Sequence, residues 1–331
     1  MKKLFALLTV SLLVLSLLGA CGTSASASGS VAAQGSAGQQ ASTQQGKKTF
    51  ALVPPAMISP YYASVIKGAQ AAADELGHEL LILAPESESD YAAQVQIVED
   101  MITQKVDGII LCAINADAIT SAVKKANDAN IPVVMFNTQN ELAEGEVDCY
   151  VRYDQYEAGA KVADFVAEQF DGKAKVGIIE GLPSDHTTER MGGFVDRAAE
   201  KYPDIEVVAS QPGDWEREKG MNAAANMLQA NPDSTLFFGL SDEMALGAYQ
   251  AVAQANATDK VKVCGFDGNP NAVASVVAGE LLSTLSIGGP ETGDACVRAL
   301  DKIVNGTAVE KIVAVDTEVI SAANAANFPA E

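Results

Sequence analysis

From residue 48 onward the chain repeats one unit: a short, almost continuously apolar run, then a longer stretch with a single apolar face. "TFALVP" (49–54), "ELLILA" (79–84), "DGIILCA" (107–113) and "IPVVMFN" (131–137) are the first four runs. A strand that is apolar on both sides must be covered on both sides, which is the condition of a parallel sheet. The stretches between them, Pro60–Leu76, Tyr91–Lys105 and Ala118–Ala129, have the length and periodicity of covering helices. The pattern continues through "DCYVRYD" (148–154), "AKVGIIEG" (174–181), "IEVVAS" (205–210), "TLFFGLS" (235–241), "VKVCGFD" (261–267) and "LLSTLSI" (281–287). Helices are predicted near 156–170, 188–201, 216–230, 243–255, 271–279 and 291–304. Repeated βα units impose right-handed crossovers and doubly wound sheets. Ten strands and nine helices are too many for one open sheet, and 284 residues are long for one core. The expected class is therefore α/β, with two doubly wound parallel-sheet lobes.

Local chemistry marks several boundaries. Ser59 before Pro60 reads as a cap followed by proline at the first helical position, and Gly77 as the stop. Asp117 and Asp242 are placed to accept the free amides of their helices. Pro132 in "ANIP" biases its neighbour to extended geometry and so opens a strand.

Residues 1–47 are of a different kind. Lys2 and Lys3 precede an apolar run from Leu4 to Leu18, shorter than the roughly 20 residues of a membrane span. A basic start, a short apolar core and small residues before a break describe a secretory signal. Here the break is "LGAC", which resembles the bacterial lipobox and implies acylation of Cys21. Thr23 to Lys47 are mostly Ser, Ala, Gly and Gln, too poor in apolar side chains to offset the entropy of ordering. The expectation is a signal peptide over 1–20 and a flexible tether over 21–47. An exported domain would then be lipid-anchored at the outer face of the cytoplasmic membrane.

The chain carries 22 Lys and Arg against 43 Asp and Glu, a formal charge of −21. An acidic surface repels phosphate backbones, so no nucleic-acid partner is expected. Beyond Cys21 the cysteines are Cys112, Cys149, Cys264 and Cys296, with no C-x-x-C and no metal-type spacing. Neither metal nor cofactor is expected, and sequence alone pairs none of the four.

In doubly wound sheets ligands bind at the carboxyl ends of the strands, so the residues that follow each strand are the informative ones. There stand "SPYY" (59–62), "FNTQN" (136–140), "LPSDHTTER" (182–190), "PGDWERE" (212–218), "LSDEMALGA" (240–248) and "GFDGNPN" (265–271). Aromatic rings lie beside short hydrogen-bonding groups. A sugar or polyol needs both: C–H faces to stack and hydroxyls that donate and accept. Candidate binding residues are Tyr61, Tyr62, Asn137, His186, Arg190, Trp215, Ser241 and Asp267. Most have a plainer alternative: the tyrosines cover the first helix, Trp215 packs in the core, Asp267 is a structural turn residue, Arg190 pairs with a helix carboxylate such as Glu189, His186 is incidental in an exposed loop, and Ser241 only caps its helix.

"SPYYASVIKGAQAAADELGHELLIL", "ANDANIPVV", "DWEREKGMNAAANML", "SDEMALGAYQAV" and "VCGFDGNPN" together resemble the type I periplasmic sugar-binding proteins, the ribose-binding group in particular. The resemblance spans essentially all of 48–320. It implies two lobes joined by three crossings, near 153–155, 286–289 and 315–318, that close on a sugar and dock on the permease of an ABC importer with its separate ATPase. The lobes would be 48–153 with 288–316, and 154–287 with 317–331. It also implies a monomer with no catalytic residues. The family's aromatic pair is matched by Tyr61 and Tyr62, its turn aromatic by Trp215 and the acid of "GFDG" by Asp267. Where ribose-type members carry an Asp-Arg pair after the fourth strand, this chain has Asn137 and Thr138. Their asparagine before the switch helix is Ser241, and Asp185 and His186 are similar to the loop of glucose- and galactose-binding members. The scaffold is thus indicated more strongly than ribose.

Two other functions share the cleft. One is a sensory module feeding a chemoreceptor or histidine kinase. The other is an exported enzyme, against which stand the absence of G-x-S-x-G, H-E-x-x-H and G-x-G-x-x-G.

Overall fold

The computed structural model describes residues 46–57, 59–138 and 141–330. The expected leader, Cys21 and the tether up to residue 45 lie outside the described residues. From Gly46 the chain forms one compact unit. It is built on two six-stranded sheets.

The first sheet holds β1 (Thr49–Val53), β2 (Glu79–Ile82), β3 (Gly108–Leu111), β4 (Val133–Phe136), β5 (Cys149–Arg152) and β11 (Ile312–Ala314), in the order β11-β5-β4-β3-β1-β2 and all parallel. Its two faces explain the continuous apolar runs. Phe50, Leu52, Ile110, Cys112, Val134 and Phe136 point to one side, where α1 (Pro60–Leu76) and α9 (Gly289–Val304) pack. Ala51, Val53, Ile109, Leu111, Val133 and Met135 point to the other, under α2 (Tyr91–Gln104) and α3 (Ala116–Asp128). Alternate residues of each strand thus enter different cores, and every position must be apolar.

The second sheet holds β6 (Lys173–Glu180), β7 (Asp204–Pro212), β8 (Leu236–Gly239), β9 (Lys262–Cys264), β10 (Ser283–Ser286) and β12 (Glu318–Ser321), ordered β12-β10-β9-β8-β6-β7. It repeats the first sheet's winding, except that β12 runs antiparallel to β10. One face is covered by α4 (Gln155–Gln169) and α5 (Asp185–Lys201), the other by α6 (Arg217–Ala230) and α7 (Asp242–Gln254). Helix α8 (Pro270–Val277) lies beside β10 and β12. The chain passes between the sheets after β5, after β10 and after β11.

The α/β class and the two lobes are therefore as expected, with differences at particular elements. Strands β11 and β12 were not predicted; each is short, and each borrows its partner from an element far back in the sequence. Two expected caps are displaced. Helix α3 is capped by Asn115, whose side chain accepts from Ala118 N at 2.8 Å, and Asp117 falls in its first turn. Helix α7 is capped by Ser241, which accepts from Met244 N at 3.4 Å. Asp242 turns inward instead, accepting from Asn269 N at 2.7 Å and from Thr284 Oγ1 at 2.5 Å. Ser59 does stand at the N-cap of α1, but its side chain makes no capping bond. Gly77 ends α1 at φ 75°, as its lack of a Cβ predicts. The cysteines Cys112, Cys149, Cys264 and Cys296 are all buried and free.

Candidate functional site

A cavity of about 620 Å³ opens at the carboxyl ends of both sheets. Its walls come from the loops that follow β1 to β4 of one sheet and β6 to β9 of the other. The strand order reverses between β1 and β3 and again between β6 and β8, so two switch points face one space. Its volume falls in the range of roughly 300–1,000 Å³ typical of small-molecule sites. All eight candidate residues line it: Tyr61, Tyr62, Asn137, His186, Arg190, Trp215, Ser241 and Asp267.

The first lobe supplies rings and amides. Tyr61 and Tyr62 occupy the first turn of α1, with centroids 5.3 Å apart in an edge-on arrangement. Both are nearly buried, and burial raises both phenols well above the usual range. Tyr61 Oη has no hydrogen-bond partner of ordinary length among the described residues; the neighbouring Thr292 hydroxyl donates to the Gly288 carbonyl at 2.7 Å. Asn137 follows β4 with a left-handed backbone, φ 53°, and its Oδ1 is buried with no described partner.

The second lobe supplies a charged core. Arg190, on α5, is 4% exposed. Its Nε donates to Gln155 Oε1 at 3.0 Å, Nη1 to the Leu240 carbonyl at 2.7 Å and Nη2 to Tyr153 Oη at 2.8 Å. Nη1 also reaches Asp267 Oδ1 at 3.4 Å. The guanidinium lies 4.2 Å from the Phe266 ring centre and 5.6 Å from that of Trp215. The alternative pairing with Glu189 is not the one formed. Burial pushes the Asp267 carboxyl up to about 6, against the pull of Arg190.

Asp267 is held from behind by groups the sequence reading did not assign to it. Its own amide donates to the Leu285 carbonyl at 2.8 Å, and Gly268 N donates to Thr284 Oγ1 at 3.1 Å. Asp242 then grips both Thr284 and Asn269 N. Backbone strain collects here as well: Asp214 at φ 51°, Trp215 at φ 66° and Asp267 at φ 129° all line the cavity. For a tryptophan this conformation costs on the order of 1–3 kcal/mol and persists only where surroundings impose it. Gly181 is part of those surroundings, since a Cβ there would overlap the indole.

His186 lies in the first turn of α5, capped by Ser184, and not in the exposed loop that was expected. Its Nε2 is buried without a partner. Burial and then the Arg190 guanidinium hold the imidazole down to about 3, so it is neutral at physiological pH. Among the described residues, no group of acids, histidines and cysteines is arranged to hold a metal ion.

A family profile described as the periplasmic binding protein domain matches residues 50–308. The chain belongs to that family, on the type I fold. Three of its relatives bear on this periplasmic binding protein. The ribose import binding protein of Escherichia coli (strain K12) is 34% identical over 276 residues, 83% of this chain and 90% of that one. The D-allose-binding periplasmic protein of the same organism is 32% identical over 243 residues, 72% of this chain and 78% of that one. A solved structure of an ABC transporter periplasmic solute binding protein from Actinobacillus succinogenes 130z, with bound D-allose, superposes with a TM-score of 0.82 at 32% identity. That match covers 85% of the binding protein described here and 100% of the other chain.

Among the wall residues outside the eight candidates is one charged group of the first lobe. Glu88, in "PESESD" (85–90) between β2 and α2, projects into the same cavity. An acid among serines reads as a solvated turn, and the charges that reach it come from the opposite lobe.

Proposed function

We propose that this chain captures a small, uncharged sugar or sugar-like polyol between its two lobes and delivers it to the permease of an ABC importer. The observation that carries this is the cavity itself. Aromatic rings line it, and Tyr61 Oη, Asn137 Oδ1 and His186 Nε2 are buried there with no hydrogen-bond partner among the described residues. Each unmade bond of this kind costs about 1–3 kcal/mol. A guest that both stacks and hydrogen-bonds meets that demand, and sugars do both. The relatives point the same way, being ribose- and allose-binding proteins of import systems.

In this reading Tyr61, Tyr62 and Trp215 stack on the guest. Asp267, Asn137, His186 and Ser241 exchange hydrogen bonds with its hydroxyls, and Arg190 holds Asp267 in place. The lobes are 48–153 with 288–316, and 154–287 with 317–331. Their hinge is the three crossings, of which the third is strapped to α4 by Lys161 Nζ, donating to the Thr317 carbonyl at 2.9 Å and to its hydroxyl at 2.8 Å. The guest leaves unaltered, since the site holds and releases and performs no chemistry. We further assign the periplasmic or cell-surface side of the cytoplasmic membrane as the working compartment, with a monomer tethered through a lipid on Cys21.

A thermal-shift screen of the purified protein against pentoses, hexoses and polyols tests the central claim. A guest that binds only the folded state raises the melting temperature in step with its affinity. Recovery of the guest chemically unchanged is expected; its consumption would make the protein an enzyme. Mass spectrometry of membrane-extracted protein, with and without Cys21→Ala, tests the anchor.

A further inference from the structure

The cavity walls are divided by charge. The first lobe contributes tyrosines, serines and amides, and one charged side chain, Glu88. The other charged groups of the wall belong to the second lobe, and the inner ones are paired. Arg190 meets Asp267 at 3.4 Å, Arg217 meets Glu243 at 2.8 Å, and Asp214 meets Lys219 at 2.9 Å. Glu88 makes no hydrogen bond and no ion pair with any described residue. Its loop is nonetheless well fixed: Ser87 and Ser89 hydroxyls bond at 2.8 Å, and Asp90 caps α2 through Ala93 N at 3.0 Å.

The charges that reach Glu88 lie across the cleft. Burial, and then the Asp267 carboxylate, push its carboxyl up to about 7, while Arg190 pulls the other way. An acid near its like, half-buried and without a donor among the described residues, is a costly arrangement. A guest that sets hydroxyls against both acids relieves it. A carboxylate or phosphate guest would add a third negative group and worsen it.

We propose that Glu88 is a ligand-contacting, specificity-determining residue. It accepts hydrogen bonds from the guest's hydroxyls on the first-lobe side, opposite Asp267, and so selects uncharged sugars over their acidic or phosphorylated counterparts. This rests on the sugar-capture reading above. Because two acids face each other across the cleft, the same pair makes closure conditional on a donor-bearing guest.

Parent and Glu88→Gln proteins are titrated with D-ribose, D-allose, D-arabinose and D-fucose, and with D-glucuronate and D-ribose 5-phosphate. Trp215, the chain's one tryptophan, is the fluorescent reporter, and calorimetry is the second readout. The parent is expected to prefer a neutral sugar, and Glu88→Gln to bind it about 10- to 100-fold more weakly, the size of one or two lost charged acceptor bonds. The ratio of neutral to anionic affinity should fall at least tenfold. Glu88→Asp, which keeps the charge with shorter reach, should fall between. Glu86→Gln, on an exposed neighbour, should match the parent, and the melting temperature of each guest-free variant reports its fold. An unchanged affinity and an unchanged neutral-to-anion ratio in Glu88→Gln overturn the proposal and leave sugar capture standing. A parent that binds none of the four sugars by either readout overturns sugar capture itself, and the role of Glu88 with it.

Discussion

Arg190 has most of its donors committed to the protein: Gln155, the Leu240 carbonyl, Tyr153 and Asp267 all accept from it. Its work in the cavity is therefore to fix Asp267 and present a flat face to Trp215, more than to reach outward. Asp267→Asn should weaken the best sugar by at least about 30-fold, because it turns one acceptor oxygen into a donor and leaves a buried guanidinium without its counter-charge, a loss of roughly 2–5 kcal/mol. Trp215→Ala should cost about tenfold or more through lost stacking and apolar burial. Calorimetric titration reads both, and parental affinity in both variants would mean that the guest sits elsewhere. His186 gives a prediction in pH. Its folded value, about 3, lies below the roughly 6.5 of an unfolded histidine, so the folded state binds fewer protons between those values. Stability contributed this way is present above pH 6.5 and is lost as pH falls toward 3, by at most about 1.4 kcal/mol per pH unit. Urea unfolding at pH 7 and pH 4.5 should show the parent losing stability relative to His186→Asn. A constant difference between the two proteins would place the imidazole in water. These residues were legible because they stand directly after strands, where the winding of the sheet alone predicts a site. Glu88 stands after a strand too, but the charges that reach it, Asp267 and Arg190, come from the other lobe, and no local pattern encodes that.

At the scale of elements, the helices that cover the sheets approach one another through small residues. Gly68 on α1 and Gly293 on α9 meet backbone of the opposite helix, as do Gly159 on α4 and Gly193 on α5, and Gly220 on α6 and Gly247 on α7. In each pair a Cβ would collide with backbone atoms, which cannot swing aside as a side chain can. The sequence shows these glycines only as weak points in helices, and their reason appears once the helices are paired. Adjacent Gly192 and Gly193 separate the two roles. A Cβ on Gly192 meets nothing nearer than Tyr156 Cε2 at 3.6 Å, whereas one on Gly193 would overlap the Tyr156 carbonyl oxygen. Gly192→Ala should stabilise by about 0.5–1 kcal/mol through helix propensity. Gly193→Ala should destabilise by about 1–3 kcal/mol or more through overpacking. Opposite shifts in denaturation midpoint are expected from neighbouring positions, and shifts of the same sign would disprove the close packing. Strands β11 and β12 were hidden for a similar reason. "IVA" and "EVIS" are too short to show a period, and pairing across long sequence separations is what makes them strands.

For the whole molecule, the arrangement of the two sheets sets a condition on its own closure. In the conformation described, Tyr61 Oη, Asn137 Oδ1 and His186 Nε2 are all sealed from solvent with no hydrogen-bond partner among the described residues. At about 1–3 kcal/mol each, they oppose closure by several kcal/mol unless a guest supplies the missing bonds. Separating the lobes would leave each sheet its covering helices, while it exposes part of the apolar cluster that runs through both lobes. Of the crossings, Gly288 stands at φ 59° in the second, packed against the Val315 side chain of the third, where a Cβ would collide. The equilibrium without sugar should therefore favour an open form, and sugar should shift it by its preference for the closed one. Small-angle X-ray scattering should show the radius of gyration of the folded unit contracting on saturation, toward the roughly 19 Å of a compact body of this length. Trp215→Ala, which lacks the stacking face, should contract only at far higher sugar concentration. A radius that stays constant while sugar demonstrably binds would mean that the lobes are rigid, and that capture and release must be explained without a hinge.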